Sequence, residues 1–458
     1  MSEIIVSKFG GSSMRDATAM HRSAQVASKQ NSSFIIVSAT YGTTNQLVEL
    51  IEEATLGHWG ACEKLLFNMR ENHFEICNHI TDDQTVHEKV RTHFNELETL
   101  ARGVSLLREC SPKAMDRILS SGEKISSLLF SEAYKKDFPN RKVVLFDIRQ
   151  MLKTTDKHNK AKPLIEETAI RAKELVSFNN NEVYISQGFT GSTLEGATTT
   201  LGRGGSDYSA ALVAEAINAD ILEIWTDVAG IASTDPRICE GAKAISEISY
   251  NEASEMAQYG AKILHPTTLV PAMRKEIPVF VGSSYEAEAK GTWIKKEVEN
   301  KPLIRAITKR DNQVLLTVST PKMLDAIGFM GKIFDVFTRH EISIDCVTTS
   351  EISVAVSIDK DVMGDRSFMH DLEEIGQVSL EKDYSMISLI GNKILSTAGL
   401  GKTLFNALEN INVRMVCLGA SANNFNILVS HNDCDIAINQ LHTAFIGAKD
   451  ENSITRSW

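Results

Sequence analysis

The chain has 458 residues, 43% hydrophobic and 23% charged, the balance of a soluble globular protein long enough for roughly two to four domains. Its formal net charge of −11 is spread along the sequence rather than blocked, which disfavours a nucleic-acid or anionic-membrane partner. No apolar run approaches the ~20 residues that span a bilayer, and the first residues lack a signal-like basic and apolar segment, so a cytoplasmic protein is expected.

Residues 1–300 alternate short β-branched runs, at 4–7, 34–38, 143–146, 183–187, 221–226 and 279–281, with helical patterns. Continuous apolar runs suit strands buried on both faces, so an α/β domain with a largely parallel sheet sandwiched by helices is expected. The first run leads into Lys8-Phe9-Gly10-Gly11-Ser12-Ser13. There, glycines let backbone N–H groups approach oxyanions, and the following helix offers its positive end. Lys8 precedes the glycines, unlike a Walker loop, and would lie at the strand's carboxyl edge, where open α/β sheets bind ligands. A plain strand-to-helix turn with a surface lysine is the alternative.

Residues 61–108 are helical, polar and free of motifs, which suggests an added lobe. Glu123 interrupts an apolar helical pattern and by itself reads as part of a solvated face. A second glycine loop, Thr198-Thr199-Thr200-Leu201-Gly202-Arg203-Gly204-Gly205-Ser206-Asp207, opens a helical pattern over 206–218, with Ser206 as N-cap and Asp207 in the first turn. Two such loops, each with a cation, fit a site that grips a polyanion from two sides. Arg203 has the planar fork for a carboxylate, and Asp207 would keep a nearby lysine charged and oriented. Three further segments, at 225–231, 234–237 and 260–266, mix one charge with turn residues. His265 before Pro266 reads as a helix-entry residue. The seven cysteines (Cys62, Cys77, Cys110, Cys239, Cys346, Cys417 and Cys434) lack zinc-ligand or redox-motif spacing, so free thiols and no protein-held metal are expected.

After Asn300-Lys301-Pro302 the elements shorten, and a strand-helix-strand-strand-helix-strand pattern occurs twice. Gly328-Phe329-Met330-Gly331-Lys332 opens the helix of the first copy and Gly399-Leu400-Gly401-Lys402 that of the second. Two small α+β units are expected.

Taken in order, Lys-Phe-Gly-Gly-Ser-Ser, Ser-Gly-Glu, Gly-Arg-Gly-Gly-Ser-Asp, Trp-Thr-Asp-Val, Thr-Asp-Pro-Arg and Gly-Ala-Lys-Ile-Leu-His-Pro resemble the motif series of the aspartate kinases. The lysine-sensitive, monofunctional bacterial type is the most similar, and the resemblance spans essentially the whole chain. It implies an amino acid kinase fold over 1–300, followed by two ferredoxin-like ACT domains at 303–382 and 383–458. It also implies ATP as co-substrate, Mg²⁺, L-aspartate as acceptor, and an ACT-mediated homodimer or homotetramer.

By matching positions, Lys8 would contact the transferring phosphoryl group and Asp207 would orient Lys8. Ser38, Thr44, Glu123, Arg203, Gly204, Gly205 and Ser206 would bind aspartate. The nucleotide would meet Lys8, Gly10, Gly11, Thr226, Asp227, Ala232, Arg237, Lys262 and Ile263, with Ala232 standing where a larger residue, often tyrosine, is common. Met323, Ala326, Phe329, Met330, Ser343, Asp345, Ser350 and Glu351 match the family's lysine site, Ala326 replacing a polar residue. In the second unit Arg414 stands where Asp345 stands in the first and would repel a cationic effector. Two other readings stay open: a carboxylate kinase of the same fold acting on glutamate or acetylglutamate, and a catalytically silent ACT amino-acid sensor.

Overall fold

The computed structural model describes residues 3–178, 181–261, 264–324, 327–360 and 366–447. Its contacts divide the chain into two compact units, the first built from Met1–Ile231, Ile245–Tyr250 and Ile263–Val298 and the second from Ala232–Ala244, Asn251–Lys262 and Glu299–Trp458. Among the described residues, no helix is long and apolar enough to cross a membrane.

In chain order the elements up to residue 298 are β1 (Ile5–Phe9), α1 (Ala17–Lys29), β2 (Phe34–Val37), α2 (Thr43–Leu56), α3 (Trp59–Ile80), α4 (Gln84–Leu107), α5 (Pro112–Leu119) and α6 (Ser121–Asp137). Then come β3 (Lys142–Phe146), α7 (Ile165–Leu175), β4 (Glu182–Gln187), the hairpin β5 (Thr190–Ser192) and β6 (Thr198–Thr200), α8 (Gly205–Ile217) and β7 (Ile221–Thr226). The series closes with β8 (Glu247–Ser249), α9 (Tyr250–Gln258), α10 (Pro266–Lys275), β9 (Val279–Ser283) and β10 (Thr292–Lys295). The described strands of the first unit's main sheet run β3-β4-β2-β1-β7-β9-β10-β8, parallel from β3 through β9, with β10 antiparallel to β9.

All five residues of β1 and all four of β2 are buried, which is why their sequence shows no alternation. Helices α1 and α6 form one covering layer, and α7, α8 and α10 form the other. Residues 61–108 do not form a separate lobe. They become α3 and α4, whose Cys62, Leu66, Met69, Ile76, Val90, Phe94 and Leu97 join the same core as Phe9, Ile35 and Trp225. Their polar residues dominate the composition, but the apolar stripe recurs at helical spacing and is buried.

The second unit contains β11 (Ile304–Ser319), α11 (Phe329–Arg339), β12 (Cys346–Thr349), β13 (Ser353–Asp359), α12 (Arg366–Glu373), β14 (Gln377–Gly391), α13 (Leu400–Ala407), β15 (Val413–Cys417), β16 (Asn424–Ser430) and α14 (Cys434–His442). Its described strands form one antiparallel sheet, β12-β13-β11-β14-β16-β15. β11 and β14 each serve both repeats: residues 313–319 of β11 pair with β13, whereas residues 304–310 pair only with the far end of β14, at 386–391. The change falls at register shifts near Asn312 (φ 60°) and Asp383 (φ 63°), left-handed residues of the kind that re-aim a strand. The second repeat thus takes its closing strand from residues that precede the first repeat, an arrangement that sequence self-similarity does not reveal.

Candidate active site

The strand β1 delivers Lys8 to the carboxyl end of the parallel sheet. It is only 7% exposed, and its Nζ lies 2.5 Å from Asp207 Oδ1 in the first turn of α8. The Gly10 N–H donates to the Trp225 carbonyl at 3.1 Å, holding the loop against the end of β7. A Cβ on Gly10 would meet Lys8 Nζ at 3.6 Å, and one on Gly11 would meet the Ala39 carbonyl at 3.3 Å. A 3₁₀ turn (Gly11–Met14) follows, and then Asp16 caps α1 by accepting from the Ala19 N–H at 2.8 Å. The expectation that the helix after this loop offers its positive end to a phosphate is therefore not met. The 3₁₀ turn displaces that helix from the glycines, and a carboxylate already occupies its end.

The second loop approaches from the other side. Gly202 (φ 79°) and Gly204 (φ 69°) adopt left-handed backbone, and a Cβ on Gly204 would sit 2.5 Å from that of His265. Gly204, not Ser206, is the N-cap of α8, because the chain must turn in a conformation that serine rarely adopts. Ser206 is thereby freed to face Glu123. Arg203 projects from the loop, exposed. His265 caps α10, as its position before Pro266 suggests, its ring accepting from the Thr267 N–H. Burial and the nearby Arg203 charge hold its imidazole below the ordinary histidine range.

Glu123 is the main departure from the reading of isolated residues. It lies in the first turn of α6, 4% exposed, rather than on a solvated face. Gly122 beside it presses so close to Ala39 that an added Cβ would stand 2.9 Å away. Burial pushes the Glu123 carboxyl up to about 8, although the Ala39 backbone, its own backbone, the Lys8 ammonium and the Ser206 hydroxyl all pull the other way. Its Oε2 is buried without a hydrogen-bond partner. A buried carboxyl with an unused oxygen beside Lys8 is suited to receive a cationic group from a ligand.

The loop from Ser38 to Thr44 lies between these groups and α3. The Ser38 N–H donates to the Phe9 carbonyl at 3.1 Å, and Thr44 is exposed in the first turn of α2, behind the left-handed Gly42. Sequence reasoning missed what fixes this loop. His73 on α3 is fully buried, with Nδ1 2.7 Å from the Met69 carbonyl and Nε2 2.9 Å from Thr40 Oγ1. Nδ1 therefore donates, Nε2 accepts from Thr40, and burial holds the ring neutral by lowering it to about 4. The available signal was a histidine in register with Cys62, Leu66, Met69, Ile76 and Ile80 on an apolar stripe. Glu223, in the middle of β7, was missed too. It is buried and accepts from the Ser7 hydroxyl at 2.7 Å and the Trp225 indole at 2.9 Å, tying β7 to the strand that carries Lys8.

Thr226 ends β7, and its hydroxyl donates to exposed Asp227 at 3.0 Å. Its carbonyl accepts from the Ser284 N–H at 2.8 Å, while Ser284 Oγ lies 2.7 Å from Ser13 Oγ, so the ends of β7 and β9 and the first glycine loop are linked. In the second unit, Ala232 pairs with Ala244 in an antiparallel bridge, and Arg237 is held by Asp235, with Nη2 2.6 Å from Oδ2. Lys262, Ile263 and Ala326 lie outside the described residues.

Of the other effector positions, Phe329 and Met330 start α11 and, with Met323, pack on the first repeat's core. Ser343 and Glu351 are exposed, and Ser350 bonds Ser353 across the β12–β13 turn. Asp345 is shared with Arg310: its Oδ1 accepts from Arg310 at 2.7 Å, while Oδ2 is buried without a hydrogen-bond partner. Burial raises its carboxyl against the pull of Arg310. Arg414 in the second repeat is engaged by Glu381.

Residues 3–283 match the amino acid kinase family, and residues 387–445 match an ACT domain. The lysine-sensitive aspartokinase 3 of Escherichia coli K12 is 42% identical over 97% of this chain and 99% of its own length. The chloroplastic aspartokinase 1 of Arabidopsis thaliana is 32% identical over 97% of this chain and 80% of its own. Among solved structures, E. coli aspartokinase III with aspartate and ADP, in the R-state, superposes with a TM-score of 0.88 at 41% identity, covering 96% of this chain and 99% of that one. The same enzyme with lysine and aspartate, in the T-state, gives 0.81 at 42% identity over 97% and 100%. The chain belongs to the aspartokinases, within the amino acid kinase family.

Proposed function

We propose that the chain transfers the γ-phosphoryl group of ATP to the side-chain carboxylate of L-aspartate, giving 4-phospho-L-aspartate, the first step of lysine, threonine and methionine biosynthesis, under feedback inhibition by lysine. The observation that carries this reading is the Lys8–Asp207 ion pair beside Glu123, whose buried oxygen lacks a partner.

The acceptor carboxylate is ionised at neutral pH, so no general base is needed. The task is to bring two anions together and to stabilise charge spreading over the transferring oxygens. In this reading Lys8, held charged by Asp207, meets that charge as it develops. Gly10 and Gly11, lacking side chains, let the loop backbone come close to the phosphates. Arg203 receives the α-carboxylate of aspartate through its planar fork, and Glu123 receives the α-ammonium. Ser38, Thr44, Gly204, Gly205 and Ser206 shape that pocket. Thr226, Asp227, Ala232, Arg237, Lys262 and Ile263 take the nucleotide.

Among the described residues, no three or more His, Cys, Asp or Glu side chains converge as a metal cage. Mg²⁺ is the ion expected with ATP; it keeps several waters and binds through phosphates with one or two carboxylates. Asp227, just past the end of β7, is the exposed carboxylate that would complete its shell, and the ion would neutralise phosphate charge. In this reading the kinase segment is 1–300 and the regulatory segments are 303–382 and 383–458, the latter borrowing the strand at 304–310. Met323, Ala326, Phe329, Met330, Ser343, Asp345, Ser350 and Glu351 form the lysine site. The protein works as a homodimer or homotetramer in the cytoplasm.

Trapping the acyl phosphate with hydroxylamine tests the reading. Aspartate, ATP and Mg²⁺ yield hydroxamate, glutamate and acetylglutamate do not, and lysine suppresses the signal. Hydroxamate from glutamate or acetylglutamate in place of aspartate would overturn it.

A further inference from the structure

The strands β12 and β15 stand at opposite ends of the second unit's sheet order, yet they lie side by side in space, because the sheet curls until its edges meet. Each edge contributes one cysteine to the junction. Cys346 opens β12 opposite Ser357, and Cys417 closes β15 opposite Asn426. The Asn426 amide lies 3.8 Å from Cys346 Sγ, and Cys417 Sγ lies 3.9 Å from the Val347 carbonyl and 3.7 Å from Thr348 Oγ1. Cys417 packs against the buried cluster that contains Cys346. Both are free, Cys346 buried among Leu315, Met386, Met415 and Leu428, Cys417 partly open to solvent.

We propose that Cys346 and Cys417 are a modification site: a hydroperoxide converts them to an intramolecular disulfide that staples the first repeat's edge strand to that of the second.

The two sulfurs are unequal in the way this chemistry needs. The Cys346 S–H donates to Met386 Sδ at 3.7 Å, and the neighbouring Cys346 thiol draws Cys417 below the ordinary cysteine range, whereas Cys417 and burial push Cys346 up. The accessible sulfur is therefore the better nucleophile, with a shielded thiol waiting to resolve it. No other cysteine has this environment. Burial raises Cys62 and Cys110, and pushes Cys77 up to about 11 and Cys434 up to about 12, while Cys239 is buried.

In the first step the Cys417 thiolate attacks the terminal peroxide oxygen. The O–O bond breaks, the leaving alkoxide or hydroxide takes up a proton, and Cys417 becomes a sulfenic acid. In the second, Cys346 attacks the sulfenic sulfur, its proton leaves with the hydroxyl as water, and the S–S bond forms. With hydrogen peroxide the sum is two thiols and one peroxide giving one disulfide and two waters. A dithiol reductant reverses it by exchange.

Because Cys346 directly follows Asp345, the bond fixes the strand that a proposed effector carboxylate immediately precedes. That consequence rests on the lysine-site reading; the bond itself does not.

The test treats the full-length protein with one equivalent of hydrogen peroxide, blocks remaining thiols, and maps the digest by mass spectrometry. The expected product is a peptide pair joined through Cys346 and Cys417, lighter by two hydrogens and separated by dithiothreitol. Cys417→Ser abolishes it, and Cys346→Ser leaves a Cys417 sulfenic acid that dimedone captures. Oxidation that reaches Cys110 first, a Cys417–Cys417 link between chains, or a wild-type Cys417 sulfenic acid that persists unresolved would each overturn the proposal. Lysine inhibition measured before and after oxidation reads the consequence separately: a shift lost in Cys417→Ser supports it, and a crosslinked enzyme with an unmoved inhibition curve refutes it.

Discussion

Replacing Glu123 with glutamine keeps shape and hydrogen-bonding capacity but removes the charge proposed to receive the ammonium of aspartate. With its carboxyl pushed up to about 8, only about one wild-type site in ten is ionised at pH 7 before substrate arrives. The KM for aspartate should therefore fall about tenfold per pH unit on approaching that value from below, and level off above it. The glutamine variant should show no such slope and bind aspartate about ten- to a hundredfold more weakly at high pH, the range for a charge-assisted hydrogen bond.

Stability should move the opposite way. The folded state keeps a proton that the unfolded chain releases in the ordinary glutamate range. Stability is therefore lost as pH rises from that range through about 8. The loss approaches ~1.4 kcal/mol per pH unit within the window. The variant escapes it, so above the window it should melt no lower than wild type. Hydroxamate kinetics and thermal melts at matched pH values measure both effects. A wild-type KM that is flat with pH, together with an unchanged KM in Glu123→Gln, would refute the assignment.

Lys8→Ala should lower kcat by at least ~100-fold, the scale of losing a transition-state charge partner, with a smaller effect on the KM for aspartate; comparable kcat values would remove Lys8 from the chemistry. Gly204→Ala forces a Cβ to within 2.5 Å of that of His265 at φ 69°. It should cost ~1–3 kcal/mol in thermal stability and weaken aspartate binding through the displaced Arg203 loop. In the second unit, Arg305 and Glu252 form an ion pair with side chains 6% and 0% exposed. Arg305→Met removes the cation that faces this buried carboxylate, which also accepts from Asn392 at 2.7 Å, and should lower stability by ~3–5 kcal/mol, read by denaturant titration. Asp345→Asn should raise the half-inhibitory lysine concentration about tenfold while leaving kcat without lysine unchanged.

The central parallel strands were legible because strands buried on both faces show as unbroken apolar runs, and each predicted run from 4–7 to 279–281 corresponds to a strand. β8 and β10 were not legible, because three- and four-residue edge strands carry too little pattern. Two glycine loops, each opening after a strand, suggested a two-sided site with Asp207 beside a lysine; that the lysine is Lys8 came from the family resemblance, and the two are paired in the fold. The burial of Glu123 did not follow from the sequence, because nothing local distinguishes a glutamate facing solvent from one facing a pocket roofed by Ala39 and Ser206. His73 was hidden for the same reason, its partner Thr40 lying in another element. The shared strands β11 and β14 escaped detection because a repeat pattern reports similarity, not which strand pairs with which.

Direct transfer to the side-chain carboxylate is tested most simply by labelling that carboxylate of aspartate with heavy oxygen and trapping the product with hydroxylamine. Attack at the acyl carbon releases phosphate together with the bridging oxygen. The account predicts inorganic phosphate carrying one heavy oxygen from aspartate, formed in step with ADP and suppressed by lysine. Phosphate free of label, at equal ADP release, would contradict it.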